Sequence, residues 1–155
     1  MLRLTKQADY AVVLLTQMAG EGPEVSHSAR DLAQQVHLPL PIVSKILKIL
    51  ARDGLLRSHR GAKGGYSLER SPEDVSVVEI ITAVDGPVGI TECIDDTPGE
   101  CGQESVCPVR GNWQRINEAI RQALEDITLA EMVPPPQQGL VTLGGRRAET
   151  SAELN

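Results

Sequence analysis

The stretch PLPIVSKILKILARDGLLRSHRGAKGGYSL, residues 39–68, decides how this chain folds. Its first half is apolar at Ile42, Val43, Ile46, Leu47, Ile49 and Leu50, and these three- and four-residue steps predict one stripe along a helix. Pro41 suits the first turn of that helix, where a backbone N–H has no intrahelical partner to lose, and Gly54 stops it after Asp53. The second half changes period. Leu55-Leu56-Arg57-Ser58 and Tyr66-Ser67-Leu68 read as short strands around Arg60-Gly61-Ala62-Lys63-Gly64-Gly65, a hairpin with a basic, glycine-rich tip.

Upstream, Thr5 to Ala19 reads as a first helix through Ala8, Ala11, Val12, Leu15, Met18 and Ala19, with Gly20 as its stop. A short second helix runs from Ser28, a plausible N-cap with Asp31 three residues on, to Val36; His37-Leu38-Pro39-Leu40 breaks it. Helix, helix, helix and basic hairpin, in that order, make a winged helix-turn-helix, a mainly α fold with a small β-hairpin wing. Downstream, Ser76 and Glu79 form a capping-box signature leading into Val77, Val78, Ile80, Ile81 and Val84, and Gly86-Pro87 ends that helix. A long amphipathic helix is expected from Val109 to Ile127, with Trp113, Ile116, Ile120, Ala123, Leu124 and Ile127 on one stripe, then one further turn from Thr128 to Val133. The expected organisation is a winged helix-turn-helix DNA-binding domain at 1–86, a cysteine loop at 87–108, a long C-terminal dimerisation helix at 109–133, and a disordered tail at 134–155 that opens with Pro134-Pro135-Pro136.

The formal net charge of −6 conceals an asymmetry. Residues 1–70 carry ten Lys/Arg against six Asp/Glu, whereas residues 71–155 carry five against fifteen. A basic half on an acidic chain, coinciding with the winged elements, points to double-stranded DNA. Lys45, Lys48, Arg52, Arg57, Arg60 and Lys63 can neutralise phosphates, and glycines such as Gly64 at the hairpin tip permit close approach to a groove. The third helix should enter the major groove with Pro39, Pro41 and Ser44 nearest the base edges; Ser44 can donate or accept there, while Lys45 suits a phosphate. One such module reads few base pairs, so a homodimer is expected, and the Trp113–Ile127 stripe is the surface expected to form it.

All three cysteines, Cys93, Cys101 and Cys107, fall within fifteen residues. An odd number of thiols cannot all pair within one chain, so one is left over or all three hold something. No run of eighteen apolar residues and no secretory leader are visible, which suggests a cytoplasmic protein without a membrane span, where structural disulfides are uncommon. The spacing lacks the two-residue knuckle of structural zinc. A thiol redox enzyme is disfavoured too, because there is no Cys-x-x-Cys pair and His27, His37 and His59 all lie in the winged half.

These residues resemble a known family. Met1-Leu2-Arg3-Leu4-Thr5-Lys6 before Asp9-Tyr10-Ala11, Asp53-Gly54-Leu55-Leu56, Arg60 to Leu68, and Ile80-x-x-Ala83-Val84-Asp85-Gly86 are similar to the IscR/NsrR-type winged-helix transcription regulators over residues 1–130. Gly89-Ile90-Thr91-Glu92-Cys93, Trp113, Ile116-Asn117 and Ile127 to Met132 resemble most the regulators of SUF-system iron–sulfur cluster assembly. The resemblance implies a homodimeric repressor, not an enzyme, whose three cysteines hold an iron–sulfur cluster, with 2Fe-2S expected ahead of 4Fe-4S, and whose cluster state alters operator binding. A nitric-oxide or redox sensor of the same fold is the alternative. Cys93, Cys101 and Cys107 match the ligand positions, Arg60 a minor-groove contact, and Ser44 a major-groove reading position. Arg110 stands where IscR-like members have a histidine ligand and cannot ligate. Asp9 matches a carboxylate that nitric-oxide-sensing relatives supply from the partner's first helix, and Glu92, Asp95, Asp96, Glu100 and Glu104 are rivals for the fourth position. Ser44 replaces a glutamate that discriminates two operator classes, which argues against dual specificity.

Overall fold

The computed structural model describes residues 3–62, 64–91 and 106–135. Six α-helices and one hairpin follow in the order α1 (Lys6–Glu21), α2 (Ala29–Gln35), α3 (Leu40–Arg52), β1 (Leu56–His59), β2 (Gly65–Leu68), α4 (Val77–Asp85), α5 (Arg110–Glu125) and α6 (Leu129–Met132), with a 3-10 turn at Pro72–Asp74 before α4. This is the predicted mainly helical, winged architecture. Caps set the helix starts: Thr5, Ser28, Ser76 and Thr128 each accept a backbone N–H in the first turn. At Ser76 and Thr128 the box is reciprocal, since Glu79 and Glu131 reach back to the cap N–H groups at 2.9 and 2.8 Å.

One core joins the winged elements. Leu14, Leu15 and Met18 of α1, Leu32 of α2, and Val43, Ile46, Leu47 and Leu50 of α3 are fully buried, with Leu55, Leu56, Val75 and Ile80 around them. The stripes predicted for α1 to α3 therefore close on one another, with two adjustments. Gly20 does not end α1, which continues to Glu21 and caps at Gly22 with φ of 112°; the penalty of one helical glycine is small beside the packing of this helix. Ile42, expected in the core stripe, lies 37 % exposed because the helix begins at Leu40 and its inward face is centred on Val43, Ile46, Leu47 and Leu50.

The hairpin pairs Leu56 with Leu68 and His59 with Gly65. It is tied back to the helices by a two-bond bridge, His27 and Tyr66 exchanging N–H···O bonds of 2.8 Å each. Gly65 is required there: a Cβ on it would stand 2.4 Å from the carbonyl oxygen of His27. At the other end of the fold, α6 returns to the winged core. Leu129 is fully buried, its N–H donates to Val75 at 2.7 Å, and Val77 N–H donates to the carbonyl of Ile127 at 2.9 Å. The expected tail from Pro136 onward lies outside the described residues.

Candidate functional site

The exposed side of α3 carries Lys45, Lys48 and Arg52, and the wing carries Arg57 and Arg60. With Val43, Ile46, Leu47 and Leu50 turned inward, the 100° step of a helix turns Pro41, Lys45, Lys48 and Arg52 outward. Pro39, Pro41, Lys45 and Lys48 are exposed, and Ser44 is half-buried on the flank of that face. Pro39 is the N-cap without a side-chain cap, so α3 presents its leading turn as apolar rings rather than as a carboxylate or hydroxyl. The absence of negative charge at this end suits approach to a phosphate backbone.

In the wing, Arg60 is exposed and, among the described residues, forms no ion pair that would hold it away from DNA. Gly64 is half-buried, and a Cβ there would stand 2.5 Å from the carbonyl oxygen of His59, so its identity is demanded by the turn as well as by any groove. Lys63 lies outside the described residues. Arg57 is engaged within the hairpin: it pairs with Glu69 through Nε at 3.0 Å and Nη2 at 2.7 Å. That hydrogen-bonded pair holds the Glu69 carboxyl below its ordinary range and raises the Arg57 guanidinium, although both groups are solvent-exposed. The sequence shows both residues but not that twelve positions bring them face to face across two strands.

The long helix divides the predicted stripe. Ile120 and Leu124 are half-buried, lining a cleft with Ile81, Gly86, Pro87 and Ile90 at the end of α4. Trp113, Ile116 and Ile127 stay 39 %, 45 % and 41 % exposed. Buried on α5 is a polar residue, Asn117, at 8 % exposure, which the apolar pattern did not single out. The α1 surface around Ala11 and Met18 is buried against α3, α4 and α6 and offers this stripe no seat within the chain.

Asp9 sits exposed in the first turn of α1. That turn is fastened to the end of α4 by Thr5, whose Oγ1 donates to Asp85 at 2.7 Å across eighty residues of sequence. Of the cysteines, Cys107 is half-buried, in no disulfide, and its carbonyl accepts from Arg110 N–H at 3.4 Å at the start of α5. Cys93, Cys101 and the loop carboxylates from Glu92 to Glu104 lie outside the described residues, and among the described ones no three His, Cys, Asp or Glu side chains converge as a metal site. No helix of the described residues is long and apolar enough to cross a membrane.

Comparison with known proteins agrees with this architecture. A family described as Rrf2, iron-dependent transcriptional regulator, matches residues 4–135. Protein rrf2 of Nitratidesulfovibrio vulgaris is 29 % identical over 132 residues, covering 85 % of this chain and 87 % of that protein. The HTH-type transcriptional regulator IscR of Klebsiella pneumoniae is 28 % identical over 154 residues, 99 % of this chain and 92 % of that one. Among solved structures, CymR, the global cysteine regulator of B. subtilis, superposes with a TM-score of 0.68 at 26 % identity, covering 86 % of this chain and 97 % of that one. With helices and wing in this arrangement, the chain belongs to the Rrf2 family of winged-helix, DNA-binding transcription regulators, and it is a regulator rather than an enzyme.

Proposed function

We propose that this regulator senses iron–sulfur cluster supply and represses genes of SUF-type iron–sulfur assembly, as a cytoplasmic homodimer on double-stranded operator DNA. The observation that carries the reading is the position of the thiols: Cys93, Cys101 and Cys107 all fall between α4, ending at Asp85, and α5, starting at Arg110. Three thiolates are a soft donor set suited to an iron–sulfur cluster, and Cys107, in no disulfide, is half-buried at the entry to α5. A bound cluster, 2Fe-2S ahead of 4Fe-4S, would supply a cross-link whose persistence depends on iron, sulfide and oxidants.

The chain's own residues give that cross-link something to move. The C-terminal end of α5 is fastened to the winged core through Leu129 and the Val75–Leu129 and Val77–Ile127 hydrogen bonds, while its N-terminal end adjoins the loop. A cluster held by the loop cysteines would set the tilt of α5 against α4. Exposed Trp113, Ile116 and Ile127, with Ile120 and Leu124 beside them, supply the surface for a second copy, so the tilt would also set the spacing of the two α3 helices. Arg110 cannot fill a fourth ligand position. Asp9 of the second copy is available for it, being exposed in the first turn of α1, and the loop carboxylates are its competitors. On the DNA side, Pro39, Pro41 and Ser44 meet base edges, Lys45, Lys48 and Arg57 hold phosphates, and Arg60, Lys63 and Gly64 form the wing contact.

Anaerobic reconstitution with iron and sulfide should give visible cluster absorption and a changed operator affinity, and Cys101→Ser should remove both. Equal affinity with and without the cluster would refute the coupling. A second reading, nitric-oxide or redox sensing, has the support that Cys107 is in no disulfide and only half-buried. Parallel exposure of the holo-protein to nitric oxide, oxidant and iron limitation separates the two by which treatment releases the DNA.

A further inference from the structure

The leading turn of α3 has an unusual chemistry for a helix end that reads bases. Pro39, Leu40, Pro41 and Ile42 carry no side-chain hydrogen-bonding group. All four are exposed, Leu40 at 38 % and Ile42 at 37 %. Backbone donors are scarce there as well. Pro41 has no N–H, and the N–H groups of Ile42 and Val43 are both turned onto the carbonyl of Pro39, at 3.1 and 3.2 Å. Polar side chains begin only at Ser44 and Lys45, one turn further along.

We infer that this turn reads DNA by apolar contact with thymine C5-methyl groups, Leu40 being the main specificity-determining residue, with Pro41 beside it. The inference rests on α3 being the recognition helix. In the major groove the thymine methyl is the one apolar feature a base pair displays, and apolar side chains select it. The N-terminal residues of a recognition helix are those nearest the base edges. Charge complementarity names the occupant: the same face continues into Lys45, Lys48 and Arg52, all exposed, and a helix face that is apolar at its tip and cationic behind it matches methyls in the groove floor and phosphates at its rim. Leu40 and Ser44 stand four residues apart on one flank of that face, so a methyl at Leu40 and a polar base edge at Ser44 would be neighbouring base pairs. The preferred half-site is therefore thymine-bearing at the position under Leu40.

The test uses the full-length protein, purified anaerobically, and duplexes enriched by it from a random-sequence pool. Each thymine of the enriched duplex is replaced singly by deoxyuridine, which removes the methyl and leaves every hydrogen-bonding group in place. Affinity should fall about fourfold at one or two positions of each half-site, the worth of one buried methyl, and stay unchanged elsewhere. Leu40→Ala should bind the thymine duplex more weakly and no longer distinguish uracil at that position, while keeping its circular dichroism because Leu40 lies outside the core. An enriched duplex indifferent to uracil throughout would overturn the methyl readout alone, and so would Leu40→Ala retaining the full discrimination. No enriched duplex at all would instead overturn the assignment of α3 as recognition helix, and this inference with it.

Discussion

The attachment of α5 to the winged core can be tested at one residue, Leu129. It belongs to the four-residue helix α6, too short to be stable by itself, yet it is fully buried and its N–H bonds to Val75. Leu129→Ala removes three carbon atoms, worth about 0.8 kcal/mol each in transfer from water, or roughly 2.4 kcal/mol. A cavity term adds to this, because α1 and the 3-10 turn against which α6 packs are both held by other contacts and cannot collapse into the space. The expected loss is about 3–4 kcal/mol, within the roughly 2–5 kcal/mol range of buried leucine truncations. Urea unfolding of wild type and variant at one fixed protein concentration measures it, since dimerisation would otherwise enter the apparent stability. Trp113, the sole tryptophan, lies on α5, so its emission reports whether that helix has come loose before the core unfolds. A loss below about 1 kcal/mol, with unchanged Trp113 emission, would refute the view that Leu129 anchors α5.

Four further outcomes follow from the same contacts. Gly65→Ala would drive a Cβ into the His27 carbonyl, against backbone that cannot swing aside; it should cost roughly 1–3 kcal/mol and weaken DNA retardation by unseating the wing. Arg57→Gln would remove one proposed phosphate contact, and the slope of log affinity against log salt should flatten by about one phosphate; an unchanged slope would show that Arg57 stays on Glu69 and points away from DNA. Burial pushes the Glu79 carboxyl up, but the Ser76 N–H and Arg70 outweigh it and hold the group below its ordinary 4.5. A depressed folded value means that its contribution is complete above the unfolded value and is lost as pH falls through the folded one, so Glu79→Gln should flatten the loss of stability below about pH 4.5 without changing its shape near neutrality. Trp113→Asp, placed on exposed surface, should leave the fold intact and shift light scattering from dimer to monomer; a dimer that survives it would move the interface off this stripe.

Much of the winged unit is legible residue by residue because its signals are local. Val43, Ile46, Leu47 and Leu50 mark the inward face of α3 by spacing, Ser76 and Glu79 mark the start of α4 by cap chemistry, and the glycines around Lys63 mark the hairpin. The same local signals mislead where packing competes with them. Gly20 reads as a stop, but the burial of Met18 and its neighbours on the same helix outweighs one unfavourable residue, and Gly22, with its positive φ, takes the cap. Ile42 fits the apolar period of α3, yet the cover on that helix is centred on Val43, Ile46, Leu47 and Leu50, and Ile42 falls beyond its edge. The cysteine cluster is conspicuous by spacing, and Cys107 is placed at the foot of α5, whereas Cys93 and Cys101 lie outside the described residues.

Helix starts, strand period, charge asymmetry and the thiol spacing are properties of neighbouring residues, and the chain declares them without being folded. Which surfaces remain open is not such a property. Trp113, Ile116, Ile120, Leu124 and Ile127 form one unbroken stripe in the sequence; only the fold shows that Ile120 and Leu124 turn toward α4 while the other three face outward. Thr5 and Asp85, Arg57 and Glu69, and Leu129 and Val75 likewise become partners only when distant segments meet. The reason is physical: a helix's periodicity records that it has an apolar side, but the neighbour that covers it, and where that cover stops, depends on contacts between segments far apart along the chain.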